Sequence, residues 1–460
     1  MTRTDFDAMI VGAGPAGSSA AILLARAGWA VALIEKQPFP RRKVCGECIA
    51  ASNLPLLEAL GIGPAFDAAA GPELRRVALM RGDHAIMADL PAVDHPTYRW
   101  GRALGRETLD ALLLAQARAA GAHVMQPWSV QAIGGLAGDW RCRVRAIDSN
   151  AALTLRAPVT IAAHGSWEAL PMGRPRRRLA RRPSDLFAFK GNFRHASLAE
   201  GLLPVLSFDG GYGGMVVADA GITTLACCVR RDRLEASRAE LPGARAGDAV
   251  EALLRRECGG VRAMLHGASR SAPWLASGPI DPGIRLGNAD GRHGGGLHGD
   301  GPDGDRLGAL DGLFRIGNAA GEAHPIIGEG MSMALQSAHL LCAGLLEARP
   351  FGSGPFGADR RSQAWQREVA RVYEAAWRHH FTARLRLAAT FAHAAMRPGL
   401  ARPLMALTRA WPGLLTAGAR WGGKVRCAVD PTALTGLATG LLSAPVTTPR
   451  AVQTRLKETT

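Results

Sequence analysis

The sequence predicts an α/β protein that opens with a Rossmann-like nucleotide-binding unit. A short apolar run over 7–11 leads into the turn 12–17, which reads GAGPAG, and a helix of small residues follows as far as Gly28. A second apolar run, 30–34, ends on Glu35, which lies 18 residues after the last glycine of the turn. Strand, glycine turn, helix, strand and acid in this order are typical of a dinucleotide-binding βαβ unit.

Each residue type in this unit has a physical role. Gly12 permits the tight turn, Gly14 lets the backbone approach a pyrophosphate, and Gly17 lets the helix pack closely on the sheet. Free amides and the helix dipole would hold the phosphates, while an acid at the end of the second strand would accept hydrogen bonds from ribose hydroxyls. The predicted nucleotide contacts are Gly12, Ala13, Gly14, Pro15, Ala16, Gly17, Glu35 and Lys36.

Length and composition set the broad class of the protein. The chain has 460 residues, which suits two or three packed domains, and 47% hydrophobic with 20% charged residues argues for a globular protein. Eight cysteines without a secretory leader favour a reducing cytoplasm over a disulfide framework. Apolar runs fall short of the ~18–20 residues of a membrane-spanning helix. We therefore expect a cytoplasmic protein without a spanning segment.

The organisation along the chain predicts a second domain rich in sheet. Strand-like runs over 205–208 and 223–229 dominate the middle of the chain. The segment 210–215 indicates a flexible turn or hairpin, and Cys227 and Cys228 are adjacent on a strand and expected to be packing residues. The predicted divisions are a nucleotide-binding part over 1–171, with roughly 72–100 a candidate part of the other sheet; a substrate domain over 172–280; a second nucleotide-binding part over 281–350; and a helical region over 351–460.

The polar loop and the helices that follow carry further expectations. The glycine-rich segment 287–304 is predicted to be a mobile loop, and its His293 and His298 lack a repeated ligand spacing, so no metal site is predicted. Beyond residue 360 the pattern is helical, with breaks expected at Pro398, Pro403 and Pro412.

Three more segments bear on the ligand. Residues 314–331 read FRIGNAAGEAHPIIGEGM and run into a predicted helix over 332–343. Arg106 opens a helix over 107–120, and residues 39–48 read FPRRKVCGEC just after Glu35. A helix that starts at a glycine-rich turn points backbone amides and a positive dipole end at whatever binds there.

Together these segments resemble the flavoprotein superfamily that contains p-hydroxybenzoate hydroxylase, geranylgeranyl reductases and the flavin-dependent halogenases. The resemblance covers roughly the first 170 residues and 312–345, and the middle domain only loosely. It implies FAD as the cofactor, with the turn 325–330 against the isoalloxazine and Asn318 in place of the usual acid near the ribityl chain. Segment 39–48 is similar to the geranylgeranyl-reductase-like branch and implies a place beside the flavin ring.

The resemblance also implies site residues. The further cofactor contacts are Lys43, Arg106, Gly317, Asn318, Pro325, Gly328, Gly330 and Met331. Cys45 and His324, which fall in two of these segments, are the candidate catalytic residues. The spacing of Cys45 and Cys48 is also that of a redox dithiol, for which no thioredoxin-like context is present.

Two motifs of relatives are changed or missing. Where hydroxylases usually carry Asp-Gly after the mid-chain strand, residues 164–166 read HGS, so the electron donor stays open between NAD(P)H and another reductant. No two tryptophans stand two residues apart, as the Trp-x-Trp box of tryptophan halogenases would require.

Three functions follow from the sequence. The leading hypothesis is an FAD-dependent monooxygenase acting on an apolar aromatic or polyketide-like metabolite. The alternative enzyme is a reductase of isoprenoid-type carbon–carbon double bonds. A third hypothesis, a non-catalytic binding protein on the same fold, is disfavoured because the three glycines, Glu35 and the turn 325–330 are all present; protein that stays colourless with added FAD would support it.

The charge of the chain points to one further partner. The formal net charge is +16, and the window 375–429 contains nine Lys and Arg residues and neither Asp nor Glu. Zinc-finger, helix-turn-helix and basic–aromatic strand signatures are missing, so nucleic acid is not expected. Helices with an apolar and a cationic face suit the surface of an anionic membrane, although packing of the apolar face on the first domain would explain the pattern equally.

Overall fold

The computed structural model of the protein describes residues 3–166, 170, 181–286, 312–347 and 360–430. The predicted loop 287–304, with His293 and His298, lies outside the described residues.

The strands alternate between two large sheets. In chain order they are β1 (Ala8–Val11), β2 (Val31–Ile34), β3 (Cys48–Ile49), β4 (Arg76–Arg81), β5 (His84–Asp89), β6 (Arg102–Ala103), β7 (His123–Met125), β8 (Trp128–Leu136), β9 (Asp139–Ala146), β10 (Ala152–Ala157), β11 (Val159–Ala162), β12 (Leu186–Arg194), β13 (Leu202–Phe208), β14 (Gly211–Val217), β15 (Thr223–Arg230), β16 (Ser269–Arg270), β17 (Leu275–Ile280), β18 (Gly283–Ile284), β19 (Leu313–Arg315) and β20 (Gly321–Glu322).

The helices cover both sheets. They are α1 (Pro15–Arg26), α2 (Leu54–Ala59), α3 (Gly63–Ala69), α4 (Arg106–Ala119), α5 (Arg231–Glu240), α6 (Ala246–Glu257), α7 (Gly259–Met264), α8 (Gly330–Glu347), α9 (Gln363–Met396), α10 (Pro398–Ala410) and α11 (Gly413–Trp421).

The first sheet is parallel and built from distant parts of the chain. Its strand order is β19-β11-β1-β2-β7, and β1 and β2 are buried at every position because both faces of the sheet are covered. Helices α1, α4 and α8 pack on one face, and the antiparallel meander of β8, β9 and β10 packs on the other. The predicted α/β class with a Rossmann-like unit is confirmed.

The second sheet is largely antiparallel and has eight strands. Its order is β16-β12-β15-β14-β13-β4-β5, with β17 also paired to β12. Strands β4 and β5, within the predicted range 72–100, therefore lie in this sheet. Helices α5, α6 and α7 cover one face, where Val250, Leu253 and Leu254 join its core. The other face is turned toward the first domain.

A single long helix spans the two sheet domains. Helix α9 has 34 residues, about 51 Å at 1.5 Å per residue. Its first half, including Trp365 and Tyr373, packs in the core of the first domain, whereas Ala392 and Met396 pack against the second sheet. The two domains are thereby held by one rigid element.

Two expectations about local structure are wrong. Pro403 does not break the helical region, because it lies inside α10; Pro398 and Pro412 do flank the helix ends. Residues 211–215 belong to β14, where they pair with both β13 and β15, so the flexible turn is limited to 209–210. A Cβ at Gly213 would lie 2.7 Å from the Ala226 oxygen on β15, so the close pairing of these strands requires glycine there.

Among the described residues, none of the helices is long and apolar enough to cross a lipid bilayer.

Candidate active site

A deep cleft lies between the parallel sheet domain and the free face of the second sheet. It encloses about 1550 Å³ of space including its open mouth. Predicted site residues in four segments of the chain line it. They are Gly14, Pro15, Ala16, Lys43, Cys45, Arg106, Gly317, Asn318, Pro325, Gly328, Gly330 and Met331.

The glycine turn forms one end of the cleft. A Cβ built on Gly12, whose φ is +102°, would lie 2.6 Å from the Ala163 oxygen, and one on Gly17 would lie 1.9 Å from the Gly12 oxygen. These two glycines are therefore required by the fold. For Gly14 the atom nearest to such a Cβ is Arg106 Nη2 at 3.7 Å, so the missing side chain leaves room in the cleft itself.

Glu35 is buried behind this turn. Its Oε2 accepts a hydrogen bond from the Ala13 amide at 3.0 Å, and its Oε1 accepts one from the Gln37 amide at 2.9 Å. Arg41 Nη2 lies 3.3 Å from Oε2. The carboxylate is thus fixed at the end of β2, and Lys36 beside it is half-buried.

Cations outnumber carboxylates near the turn. Arg106 is buried and makes a bidentate ion pair with Asp110, at 2.7 and 2.8 Å. Lys43 lies nearby, where burial first, and then the positive charges of Arg106 and Arg41, lower its pKa to about 8, against the opposing pull of Asp110 and Glu35. The three cations Lys43, Arg41 and Arg106 lie near only two carboxylates, those of Asp110 and Glu35. The group therefore has a net positive charge, which a bound pyrophosphate would balance.

The two departures from the expected motifs contact each other. Asn318 Nδ2 donates to Ser166 Oγ at 2.8 Å, and Arg285 donates to the Asn318 carbonyl at 2.6 Å. Gly317 has a φ of +58°, and its amide donates to Ser337 Oγ at 2.8 Å. The amide that replaces the usual acid is therefore held by the serine of the altered segment 164–166.

The turn 325–331 forms the middle of the cleft. Gly328 is left-handed, with φ +64°, and α8 begins at Gly330, where a Cβ would meet no described protein atom within 4 Å. The amides at the start of α8 therefore face open space at the cleft wall. The preceding residue, Glu329, is fully buried.

Charges from the C-terminal helices reach this turn. Lys424 Nζ lies 3.7 Å from Glu329 Oε1 and 3.7 Å from Cys48 Sγ, and Arg384 Nη1 lies 3.7 Å from Glu329 Oε2. Burial raises the pKa of Glu329, and the two cations oppose that rise. The arrangement fixes Lys424 at the cleft wall beside Gly328.

The other half of the cleft is apolar. Its walls come from the second sheet and from the residues that follow His324. They are Ala188, Phe189, Leu203, Pro204, Val205, Met215, Val216, Ala226, Ile280, Ile326 and Ile327. A surface of this kind favours an apolar ligand over a charged one.

Two ionisable groups in the apolar half, Tyr212 and Cys228, are neutral. Burial raises the pKa of Tyr212 well above its usual value and raises that of Cys228 to about 12. Tyr212 Oη lies 3.2 Å from His324 Nδ1. His324 is buried behind Tyr212 and packs on His393; burial first and His393 second lower its pKa to about 4. The candidate His324 therefore touches the cleft through Tyr212, whereas the candidate Cys45 lines the cleft itself.

A buried ion pair joins the two domains at the cleft wall. Glu47 has a left-handed backbone, φ +60°, which is uncommon for a residue with a side chain. Its carboxylate accepts hydrogen bonds from Lys190 Nζ on β12, from Thr224 Oγ1 on β15 at 2.5 Å, and from the Arg106 amide at 2.9 Å. Glu47 and Lys190 are each only 1% exposed. Two strands of the second sheet and the start of α4 thus meet on one carboxylate.

Sequence reasoning missed three residues of this site. Lys190 had a usable signal, because it stands alone in the otherwise apolar stretch 186–191 of a strand. Glu47 lies in the segment 39–48, but nothing in the sequence pattern indicates its partners. Lys424 was one cation among nine, and only the fold brings it to Gly328.

Comparison with known proteins gives the ligand of this cleft. Residues 5–172 match the family described as FAD binding domain. The chain carries an FAD-binding domain. The match confirms FAD as the cofactor, as the motifs predict.

Relatives of this flavoprotein differ in activity. This chain is 35% identical over 118 residues to a tryptophan 2-halogenase of Chondromyces crocatus. It is 34% identical over 119 residues to a menaquinone reductase of Mycobacterium tuberculosis. These matches cover 26% of the chain in each case, and only 22% and 28% of the two relatives. The similarity is therefore confined to part of each protein.

Solved structures share the whole fold at low identity. PqsL of Pseudomonas aeruginosa, described as a probable FAD-dependent monooxygenase, superposes with a TM-score of 0.59 and 19% identity over 85% of this chain and 96% of its own. Flavin-dependent halogenases share the fold as well, at 15–19% identity and TM-scores of 0.61–0.65. The architecture is that of flavin-dependent oxidoreductases.

The cleft of the flavoprotein fits FAD on its own geometry. The absent side chains of Gly14 and Gly330 leave space where a dinucleotide would pass, and Lys43 with Arg106 would neutralise its pyrophosphate. Glu35 would hold the adenosine ribose, and Asn318 and the start of α8 would hold the ribityl chain and the flavin edge. These residue assignments remain predictions.

The pKa of Lys43 predicts that the affinity for FAD depends on pH. Because its pKa is about 8 without ligand and would rise beside a pyrophosphate, FAD binding should take up a proton above pH 8. The affinity should therefore fall as pH rises through 8, by up to about tenfold per pH unit for one proton. Titrating apoprotein with FAD between pH 7 and 9.5 measures this slope.

Two variants give that titration its controls. Lys43→Met should bind FAD more weakly at pH 7 and lose the slope, whereas Lys36→Met should keep it. An equal slope in Lys43→Met would show that another group takes up the proton.

Proposed function

We propose that this flavoprotein is an FAD-dependent monooxygenase acting on an apolar, ring-containing metabolite. The observation that carries the proposal is the apolar half of the cleft, which adjoins the turn 325–331 and in which burial raises the pKa of Tyr212 and Cys228. FAD bound in the cleft supplies two-electron redox chemistry and, once reduced, reaction with molecular oxygen.

The protein's own contribution is positioning and exclusion of water. The start of α8 and Lys424 would place positive electrostatic potential at the flavin edge, where reduction adds negative charge. The walls from β12 to β15 would orient the substrate by shape. Because few charged groups line this half, its walls bind water weakly. Exclusion of water protects an oxygen-transfer step from side reactions.

A reductase of carbon–carbon double bonds would need a proton donor as well. In the apolar half, Tyr212 with its contact to His324 is the described pair placed to provide one. The raised pKa of the tyrosine makes it a weak acid, which is why we favour the monooxygenase. The match to a menaquinone reductase keeps the reductase as the second candidate.

The deciding experiment follows the fate of oxygen. Holoprotein would be reduced without oxygen by NADH, NADPH or dithionite, then mixed with isotopically labelled oxygen and apolar probes: a naphthol, indole and a prenylated naphthoquinone. A labelled oxygen atom in a product supports the monooxygenase. A product that gains two hydrogens without label supports the reductase, and a halogenated product in the presence of chloride and bromide supports a halogenase.

Tyr212→Phe separates the two candidates further. A reductase that uses this hydroxyl should lose most of its turnover in the variant, and a monooxygenase should keep most of it. The comparison of NADH, NADPH and dithionite also identifies the electron donor.

A further inference from the structure

Helices α10 and α11 leave an unusual surface in contact with solvent. Five large apolar residues on it are exposed, Trp411 by 64% and Trp421 by 62% of their surface. We call it the Trp–Arg face, and it consists of Arg397, Leu400, Arg402, Leu407, Arg409, Trp411, Leu414, Arg420 and Trp421. Large apolar residues that cluster on a surface mark interaction sites more often than scattered ones do.

The geometry of α10 separates its apolar and cationic sides. Ala401 and Thr408, seven residues apart, are buried and define the side that packs on the protein. About 100° to one side lie Leu400 and Leu407, and about 100° to the other lie the arginines 402 and 409. The outermost positions 403, 406 and 410 are exposed Pro and Ala residues. The helix therefore exposes leucines on one side and arginines on the other, with small apolar residues outermost between them.

The chemistry of the face selects its partner. Residues 375–429 contain no acid, and among the described residues the arginines of the face, at 397, 402, 409 and 420, make no ion pair. Tryptophan and arginine together suit the boundary between lipid headgroups and acyl chains, where the ring is half in an apolar medium and the guanidinium meets lipid phosphate. A protein partner would more often present a mixture of charges.

The chain passes from the face to the wall of the cleft within three residues. Gly422, directly after Trp421, lies against Ile327, because a Cβ there would be 3.9 Å from the Ile327 Cβ. Lys424, two residues on, lines the cleft beside Gly328.

We propose that the Trp–Arg face docks on the surface of anionic membranes and lies at the route by which an apolar substrate enters. The docking does not depend on which reaction takes place in the cleft. The helices would lie in the plane of the membrane, with Trp411 and Trp421 in the headgroup layer and the arginines on lipid phosphates.

Flotation of the full-length holoprotein with vesicles tests the proposal. We expect it to float with vesicles of phosphatidylglycerol and phosphatidylcholine at low salt, and at least tenfold less with phosphatidylcholine alone or at high salt. Trp411→Ser with Trp421→Ser, and Arg402→Gln with Arg409→Gln, should each lower the bound fraction at least fivefold.

Matched controls keep the test specific. Leu136→Ser with Ile147→Ser removes apolar residues that are exposed by 64% and 56% on the meander, and should leave flotation unchanged. Protein that stays at the bottom at low salt would overturn the proposal, as would equal loss in the control pair. A concentration-dependent dimer that the tryptophan pair abolishes, without flotation, would identify a second copy as the partner instead.

Discussion

Replacing Gly14 by valine should abolish FAD retention while the protein still folds. A Cβ at Gly14 would have Arg106 Nη2, 3.7 Å away, as its nearest neighbour, so the free protein accommodates it. The added branches would occupy the cleft where the pyrophosphate has to approach the turn. We expect the affinity for FAD to fall at least about 100-fold, or about 2.7 kcal/mol.

The measurement is the ratio of flavin to protein absorbance after purification, with thermal unfolding of the apoproteins as the fold check. Gly134→Val is the matched control, because a Cβ at Gly134 on β8 meets no described atom within 4 Å and Gly134 does not line the cleft. Full flavin occupancy in Gly14→Val would place the cofactor elsewhere. Gly17→Ala should instead fail to fold, since its Cβ would lie 1.9 Å from the Gly12 oxygen.

Breaking the buried pair of Glu47 and Lys190 should produce a large loss of stability. Lys190→Met leaves the carboxylate, and Glu47→Gln leaves the ammonium group, without its charged partner in a site only 1% exposed. Removal of one partner of a buried ion pair costs ~3–5 kcal/mol, mostly because the other charge stays buried. Each single variant should lose a free energy of unfolding of that order, measured in urea.

The double variant distinguishes this cause from loss of packing. Glu47→Gln with Lys190→Met should cost clearly less than the two single changes added together, because no unpaired charge is left. The exposed pair of Arg262 and Asp83, at 58% and 83% exposure, is the control: Arg262→Met should cost no more than ~1 kcal/mol. A Lys190→Met variant within 1 kcal/mol of the parent would contradict the prediction.

The sequence predicted those parts of the site that local backbone geometry controls. The turn 12–17 is readable because the fold allows nothing larger than hydrogen at Gly12 and Gly17, and the start of α8 is readable because a glycine turn precedes an apolar helix. In both cases, the residue type itself reports the conformation.

Contacts between distant segments were not predictable in the same way. Lys190 lies 143 residues from Glu47, and Lys424 lies 96 residues from Gly328. The strand position of residues 211–215 was also missed, because glycine favours turns locally, whereas here pairing on both sides keeps them extended. Tertiary contacts override local preference at such positions.

The order of strands in the parallel sheet has a consequence for synthesis of the protein on the ribosome. Strands β1, β2, β7 and β11 are complete by residue 162, but the edge strand β19 and helix α8 follow only at 313–347. At ~5–20 residues per second, the ~175 residues after 172 take roughly 10–35 s to emerge. Through that interval the apolar strand β11 would have an open edge, and the flavin turn would not yet exist. The complete cleft, and with it the full set of FAD contacts, could therefore form only near the end of translation.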